Sequence, residues 1–227
     1  MKYSVLFLGS IGVVSETSEL QRQSYNTAMK ENGLNWEWSR PVYRDLLQTS
    51  GGIHRLETLA AATNQSVSDF DIRNIHTRKT ELAGKKIVEQ QVRPRAGITE
   101  LIRAARAAGA KVAWVTSTSK ANTDALLEAA GDALSASDFD RIFHREDAEN
   151  GKPSPDIYEA ALKHFNVSAD QCVALEDSVD SILSAKGAGI YTIATLGKNH
   201  EGASVTNIAD AVYDSAADIP VQDLFGA

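Results

Sequence analysis

The sequence predicts an α/β protein, a doubly wound parallel sheet interrupted after its first strand by a run of helices. Three observations carry this. Short apolar runs alternate with helical patterns in the second half of the chain; a long helical stretch without strands lies near the start; and the texture changes at Pro94. The 227 residues, 43% hydrophobic and 23% charged, suffice for a full core and an insert.

Val5, Leu6, Phe7 and Leu8 read as the first, central strand, stopped by Gly9 and Gly12. A polar stretch over residues 15–19 follows, in which Thr17 or Ser18 is placed to cap a helix containing Leu20, Tyr25 and Met29. Over residues 33–92 the apolar residues fall at helical spacing. Val42, Leu46 and Leu47 make one face, Leu56, Leu59 and Ala60 a second, and Ile72, Ile75, Leu82 and Ile87 a third. The expected division is a core of residues 1–14 and 93–227 with a helical insert of residues 15–92. Beyond Pro94, Ile98, Leu101, Ile102 and Ala105 form a helix that ends before Gly109. Strands then fall at residues 111–115 and 141–143, at Cys172, Val173, Ala174 and Leu175, at residues 191–194 and around 211–213, with helices between them. Such alternation gives right-handed crossovers and a Rossmann-like sheet.

The net charge of −7, with no cluster of Lys and Arg, argues against a nucleic-acid partner. No apolar run is long enough for a signal peptide or a membrane span. The lone Cys172 cannot pair within the chain, which suits a reducing cytosol and a cytoplasmic location. His54, His76, His144, His164 and His200 never fall at zinc-ligand spacing.

Polar clusters follow three of the strands. Thr116, Ser117, Thr118 and Ser119, with Lys120 and Asn122 just beyond, offer hydroxyls and backbone N–H groups suited to a phosphate; the bland alternative is helix capping. Lys152 lies in a loop stiffened by Pro153 and Pro155. Glu176 and Asp177 end the fourth core strand, where open α/β sheets bind ligands; two adjacent acids there are costly unless a cation or hydrogen bonds compensate them, although Asp177 and Ser178 also suit a helix cap.

TSTSKANTDALL, GKPSPDIYEAAL and ALEDSVDSILSAKGAG, in this order, resemble the haloacid dehalogenase superfamily. The likeness is to its branch with a helical cap after strand one, that of β-phosphoglucomutase, phosphoglycolate phosphatase and xylulose bisphosphate phosphatase. ETSELQRQSYNTAM matches that branch's first cap helix, and YRDLLQTSGGIHR its glycine-bearing cap segment. The resemblance implies that Thr116 binds a transferring phosphoryl group, that Lys152 neutralises it, and that Asp177, supported by Glu176 and the Ile11 backbone carbonyl, holds Mg²⁺. It implies a small phosphorylated metabolite as partner, with Arg55 facing it. Arg22, Arg95 and Lys120 are further candidates for a second phosphate or a sugar hydroxyl. Ser181 stands where the branch usually has glycine.

The family's first motif places an aspartate nucleophile and an aspartate general acid/base where Gly9 and Ile11 stand here. No acid precedes Glu16, and the first aspartate is Asp45. Glycine cannot attack phosphorus and isoleucine cannot shuttle a proton, so aspartyl-phosphate chemistry is excluded at these positions, and Mg²⁺ binding is expected to be weak or absent. Two readings follow: a phosphate-binding module that has lost the chemistry, or a Mg²⁺-dependent hydrolase with a relocated nucleophile or base such as Ser10 or Glu16.

Overall fold

In the computed structural model, residues 2–47, 49–63, 67–196 and 203–226 are described; His200 lies outside them. Strand β1 (Val5–Leu8) is followed by helices α1 (Ser18–Glu31), α2 (Arg40–Leu46), α3 (Gly52–Ala62) and α4 (Asp69–Glu89). Then come α5 (Ile98–Ala107), β2 (Lys111–Val115), α6 (Lys120–Ala130), β3 (Arg141–Phe143), α7 (Asp156–Phe165), β4 (Cys172–Glu176) and α8 (Val179–Gly187). The chain closes with β5 (Tyr191–Thr195), α9 (Ala203–Thr206), β6 (Ala211–Tyr213) and α10 (Val221–Phe225). The strands form one parallel sheet in the order β3-β2-β1-β4-β5-β6. This is the α/β doubly wound arrangement expected from the alternating pattern.

Period-two alternation divides the sheet's side chains between two buried layers. Leu6, Leu8, Val112, Trp114, Val173 and Leu175 pack with Ile98, Leu101 and Ile102 of α5. Val5, Phe7, Ala113, Val115, Cys172 and Ala174 pack on the other face with Ile157, Tyr158 and Ala161 of α7. Helices α1–α4 gather a separate cluster around Tyr25, Trp38, Tyr43, Leu56, Ile72 and Ile75. No strand occurs among the described residues of this insert, and α4 runs against both α1 and α6.

Two local expectations are corrected. Val42 is 48% exposed, and the residue α2 buries is its neighbour Tyr43, which packs against Tyr25 and Trp38. Neither Thr17 nor Ser18 caps α1 with its side chain; Glu16 Oε1 accepts from the Ser18 N–H at 2.8 Å and serves that orphan donor. No helix among the described residues is long and apolar enough to cross a membrane.

Candidate functional site

The sheet register sets the site. Leu8 pairs with Trp114 on one side and Leu175 on the other, and the Gly9 N–H continues the ladder to Leu175 O at 3.0 Å. Continuing each strand in register brings Ser10, Thr116 and Asp177 to one level at the carboxyl edge, where open parallel sheets bind ligands. A cavity of about 600 Å³ lies above this edge. Ser10, Ile11, Thr116, Ser117, Lys152, Glu176 and Asp177 line it from the sheet, and Tyr25, Tyr43, Arg55, His76 and Lys79 from α1–α4.

At the floor, Lys152 and Glu176 form an ion pair whose side chains are 3% and 1% exposed. Lys152 Nζ donates to Glu176 Oε1 and to Val115 O, the latter at 3.3 Å, and the Tyr158 hydroxyl donates to the same Oε1. Burial pushes the Glu176 carboxyl up, helped by the charge of Asp177 and opposed by Lys152. The Tyr158 phenol is likewise driven upward by burial and then by Glu176, so it remains a donor. Buried charges of this kind persist where partners satisfy them.

The same carboxylate covers Gly9. A Cβ built there would fall inside contact distance of Glu176 Oε2, 2.8 Å from its Cδ and 3.0 Å from Val13 Cγ2. Gly9 therefore lies beneath Glu176 and is not among the cavity-lining residues. Gly12, at φ +84°, meets Asp177 in the same way, with a built Cβ 2.6 Å from its Cγ. The conformation and the close approach both require glycine there. Arg95 braces this turn from behind, donating to Gly12 O and, at 2.8 Å, to Leu196 O.

Thr116 is 2% exposed, and its Oγ1 accepts from the Thr118 N–H at 3.0 Å while sharing a 3.0 Å hydrogen bond with Thr118 Oγ1. That ties the turn after β2 into a compact hydroxyl cluster ahead of α6. Asn122 on α6 joins α1 through Gln21 Nε2, which donates to Asn122 Oδ1 at 3.0 Å in a buried contact. Ser10 is 6% exposed, and its Oγ has no hydrogen-bond partner among the described residues.

The opposite wall is cationic and aromatic. Arg55 donates to Leu46 O at 2.9 Å and to Thr49 O at 2.5 Å. Lys79 Nζ stands 4.6 Å from the Tyr25 ring centroid, and burial followed by the Arg55 charge brings its pKa down to about 7. Burial, with Lys79 and Arg55 behind it, lowers His76 to about 4, so its ring is neutral at neutral pH. Tyr43 rises to about 12 through burial.

The expected residues thus separate. Thr116, Ser117, Lys152, Glu176, Asp177, Ile11 and Arg55 share one cavity. Arg22 does not line it: its guanidinium is held by Glu19 at 2.8 and 2.9 Å and by Trp38 O at 2.6 Å. Lys120 projects outward, 72% exposed, onto Asp124 at 2.7 Å. Glu16 serves the start of α1, away from the cavity lining. Lys79, His76 and Tyr158 were not singled out from sequence. Lys79 and His76 each follow an isoleucine of α4 by four residues, so polar residues interrupting the Ile72–Ile75 stripe were the available signal.

The family model for haloacid dehalogenase-like hydrolases matches residues 11–189, beginning just past Gly9 and Ser10. The chain is 36% identical to the protein CbbY of Cereibacter sphaeroides over 92% of this chain and 90% of that one. It is 33% identical to the CbbY of Rhodobacter capsulatus over 100% and 96%. A crystal structure of CbbY from Rhodobacter sphaeroides in complex with phosphate superposes with a TM-score of 0.87 at 34% identity, covering 96% of each chain. A variant of the same protein in complex with xylulose-(1,5)bisphosphate gives 0.86 at 34% identity, again over 96% of each chain. With a family model spanning most of its length and relatives matched nearly end to end, the chain belongs to the haloacid dehalogenase-like hydrolases.

Proposed function

We propose that this protein binds a small phosphorylated metabolite, a sugar phosphate or phospho-acid, between an α/β core of residues 1–14 and 93–227 and a helical cap of residues 15–92. In this reading it lacks aspartyl-phosphate chemistry. The observation that carries it is the filled space over Gly9: no carboxylate grows from that position, and the Glu176 carboxylate, tied to Lys152 and Tyr158, stands in its place.

Thr116, Ser117 and Lys152 form the phosphoryl end, and Arg55 with Lys79 the cap end, which suits a ligand anionic at both ends. The R. sphaeroides complex makes xylulose-1,5-bisphosphate the first ligand to try. The donor set also fits a loosely held Mg²⁺. Asp177 and the Ile11 carbonyl are the protein oxygens that would hold it, while Glu176 Oε1 is committed to Lys152 and Tyr158. Mg²⁺ is often held by one or two carboxylates with waters, and when bound it supplies positive charge to a ligand phosphate. Lys152 and the hydroxyls of Thr116 and Ser117 orient that phosphate in any case. We assign the protein to the cytoplasm on its single, buried cysteine.

Thermal unfolding with xylulose-1,5-bisphosphate, with and without Mg²⁺, tests this, because a ligand of the native state raises the midpoint whether or not it is turned over. A raised midpoint without release of inorganic phosphate is expected. No shift with this or any other phosphorylated sugar or acid overturns the binding role. A second reading rests on Ser10, whose buried, unpartnered hydroxyl lines the cavity as a relocated nucleophile would. Turnover abolished by Ser10→Ala is its signature.

A further inference from the structure

The cap wall contains two polar groups that the phosphate sites leave unused. Tyr25, on α1, is fully buried, and its hydroxyl makes no hydrogen bond of ordinary geometry among the described residues, although the Arg55 guanidinium lies close enough to oppose the upward push of burial on the phenol. Packing alone explains the ring, which meets Trp38 edge-on at 4.8 Å and Tyr43 at 6.0 Å, but not the hydroxyl, since phenylalanine would fill the same volume. His76, on α4, makes an aromatic contact with Tyr25 at 6.4 Å, and neither of its ring nitrogens is hydrogen-bonded among the described residues. The two groups converge over Gly52, the first residue of α3. A Cβ built there would fall inside contact distance of the Tyr25 hydroxyl and 2.6 Å from His76 Nε2. Tyr25, Gly52 and His76 all line the cavity, beside Arg55 and Lys79.

We propose that the Tyr25 hydroxyl and His76 Nε2 form a subsite for an uncharged oxygen of the ligand, a hydroxyl or carbonyl on the carbon chain between its anionic ends. This rests on the phosphorylated-metabolite reading above and adds what that reading leaves open, the feature that separates an oxygenated chain from a plain alkyl one. Tyr25 stays protonated under burial and His76 stays neutral beside two cations, so the pair offers donor and acceptor capacity without charge. Arg55 and Lys79 are left to the anion. A site built to hydrogen-bond a ligand oxygen rejects an analogue lacking it, because its buried polar groups are then unpaired.

The test is calorimetric affinity, without Mg²⁺, for xylulose-1,5-bisphosphate and for pentane-1,5-diyl bisphosphate, which keeps the phosphate spacing and lacks the hydroxyls and carbonyl. The wild type is expected to favour the oxygenated compound by about tenfold or more, as one or two hydrogen bonds allow. Tyr25→Phe and His76→Leu should each shrink that ratio by weakening the oxygenated ligand while leaving the alkyl one within about twofold. Should Tyr25→Phe not fold, His76→Leu carries the comparison. A ratio unchanged in the folded variants, or equal weakening of both ligands, overturns the subsite while leaving the binding role standing. Failure of the wild type to bind either bisphosphate overturns the subsite, and the binding role itself then depends on the wider panel.

Discussion

The carboxylate of Glu176 occupies the space directly over the α-carbon of Gly9, so that even a methyl group at position 9 would meet its Oε2 and Cδ. The two residues are far apart in sequence and meet because β1 and β4 are adjacent in the sheet. Gly9→Ala should therefore destabilise the protein by about 1–3 kcal/mol, as overpacking does. In a background that already carries Glu176→Ala the cost should fall to what the remaining contact with Val13 Cγ2 imposes, and urea denaturation of the two single variants and the double gives the coupling directly.

The Lys152–Glu176 pair is expected to be worth little net and to be very costly to break. Lys152→Met leaves a buried carboxylate with Tyr158 as its remaining partner and should cost about 3–5 kcal/mol; Lys152→Met with Glu176→Leu should recover most of it. Tyr158→Phe removes one hydrogen bond to the charged oxygen and should cost about 1.5–3 kcal/mol. Equilibrium denaturation of the three variants checks the order.

His76 supplies an acid limb to stability. Its folded pKa, about 4, lies below the ordinary 6.5, so on acidification the unfolded chain takes the proton first. Stability from this group is fully present above about pH 6.5 and is lost as pH falls through 4, by on the order of 2–3 kcal/mol. His76→Gln should flatten the melting temperature over this window.

Lys79 should make anion binding pH-dependent in the opposite sense. With a pKa near 7 in the free protein it is losing its charge by pH 8, and an anion against it restores the proton. Arg55, His76, Glu81, Tyr25 and Tyr43 share its cavity. Affinity for xylulose-1,5-bisphosphate should fall between pH 7 and 9, by up to about tenfold per unit, and Lys79→Met should abolish the slope.

The central strands were legible because they are buried on both faces, β1 throughout and β2 beyond the exposed Lys111, and read as apolar runs; Val5–Leu8, Lys111–Val115 and Arg141–Phe143 have the bounds the sequence suggests. β4 runs one residue further, through Glu176, because a charged residue at a strand end looks like a loop until its partners are known. The positions of Thr116, Lys152 and Asp177 followed from strand ends and the family likeness. Arg22 and Lys120 went astray although Glu19, three residues before one, and Asp124, four after the other, were visible helical partners. What covers Gly9 was not legible at all, since it depends on how a side chain of β4 lies across β1. Tyr158 reads as a core aromatic in any helix, and only the fold brings its hydroxyl to Glu176.

Phosphate release from xylulose-1,5-bisphosphate with Mg²⁺, by the wild type and by Gly9→Asp with Ile11→Asp, tests most directly whether absent carboxylates silence this site. The new acid at position 9 has to displace Glu176, and the added charges repel Glu176 and Asp177, so the double variant should be less stable without Mg²⁺ and recover with it. The expected result is no measurable release by the wild type and Mg²⁺-dependent release by the double variant. Wild-type turnover on the order of 1 s⁻¹ or faster, abolished by Asp177→Asn, would contradict it.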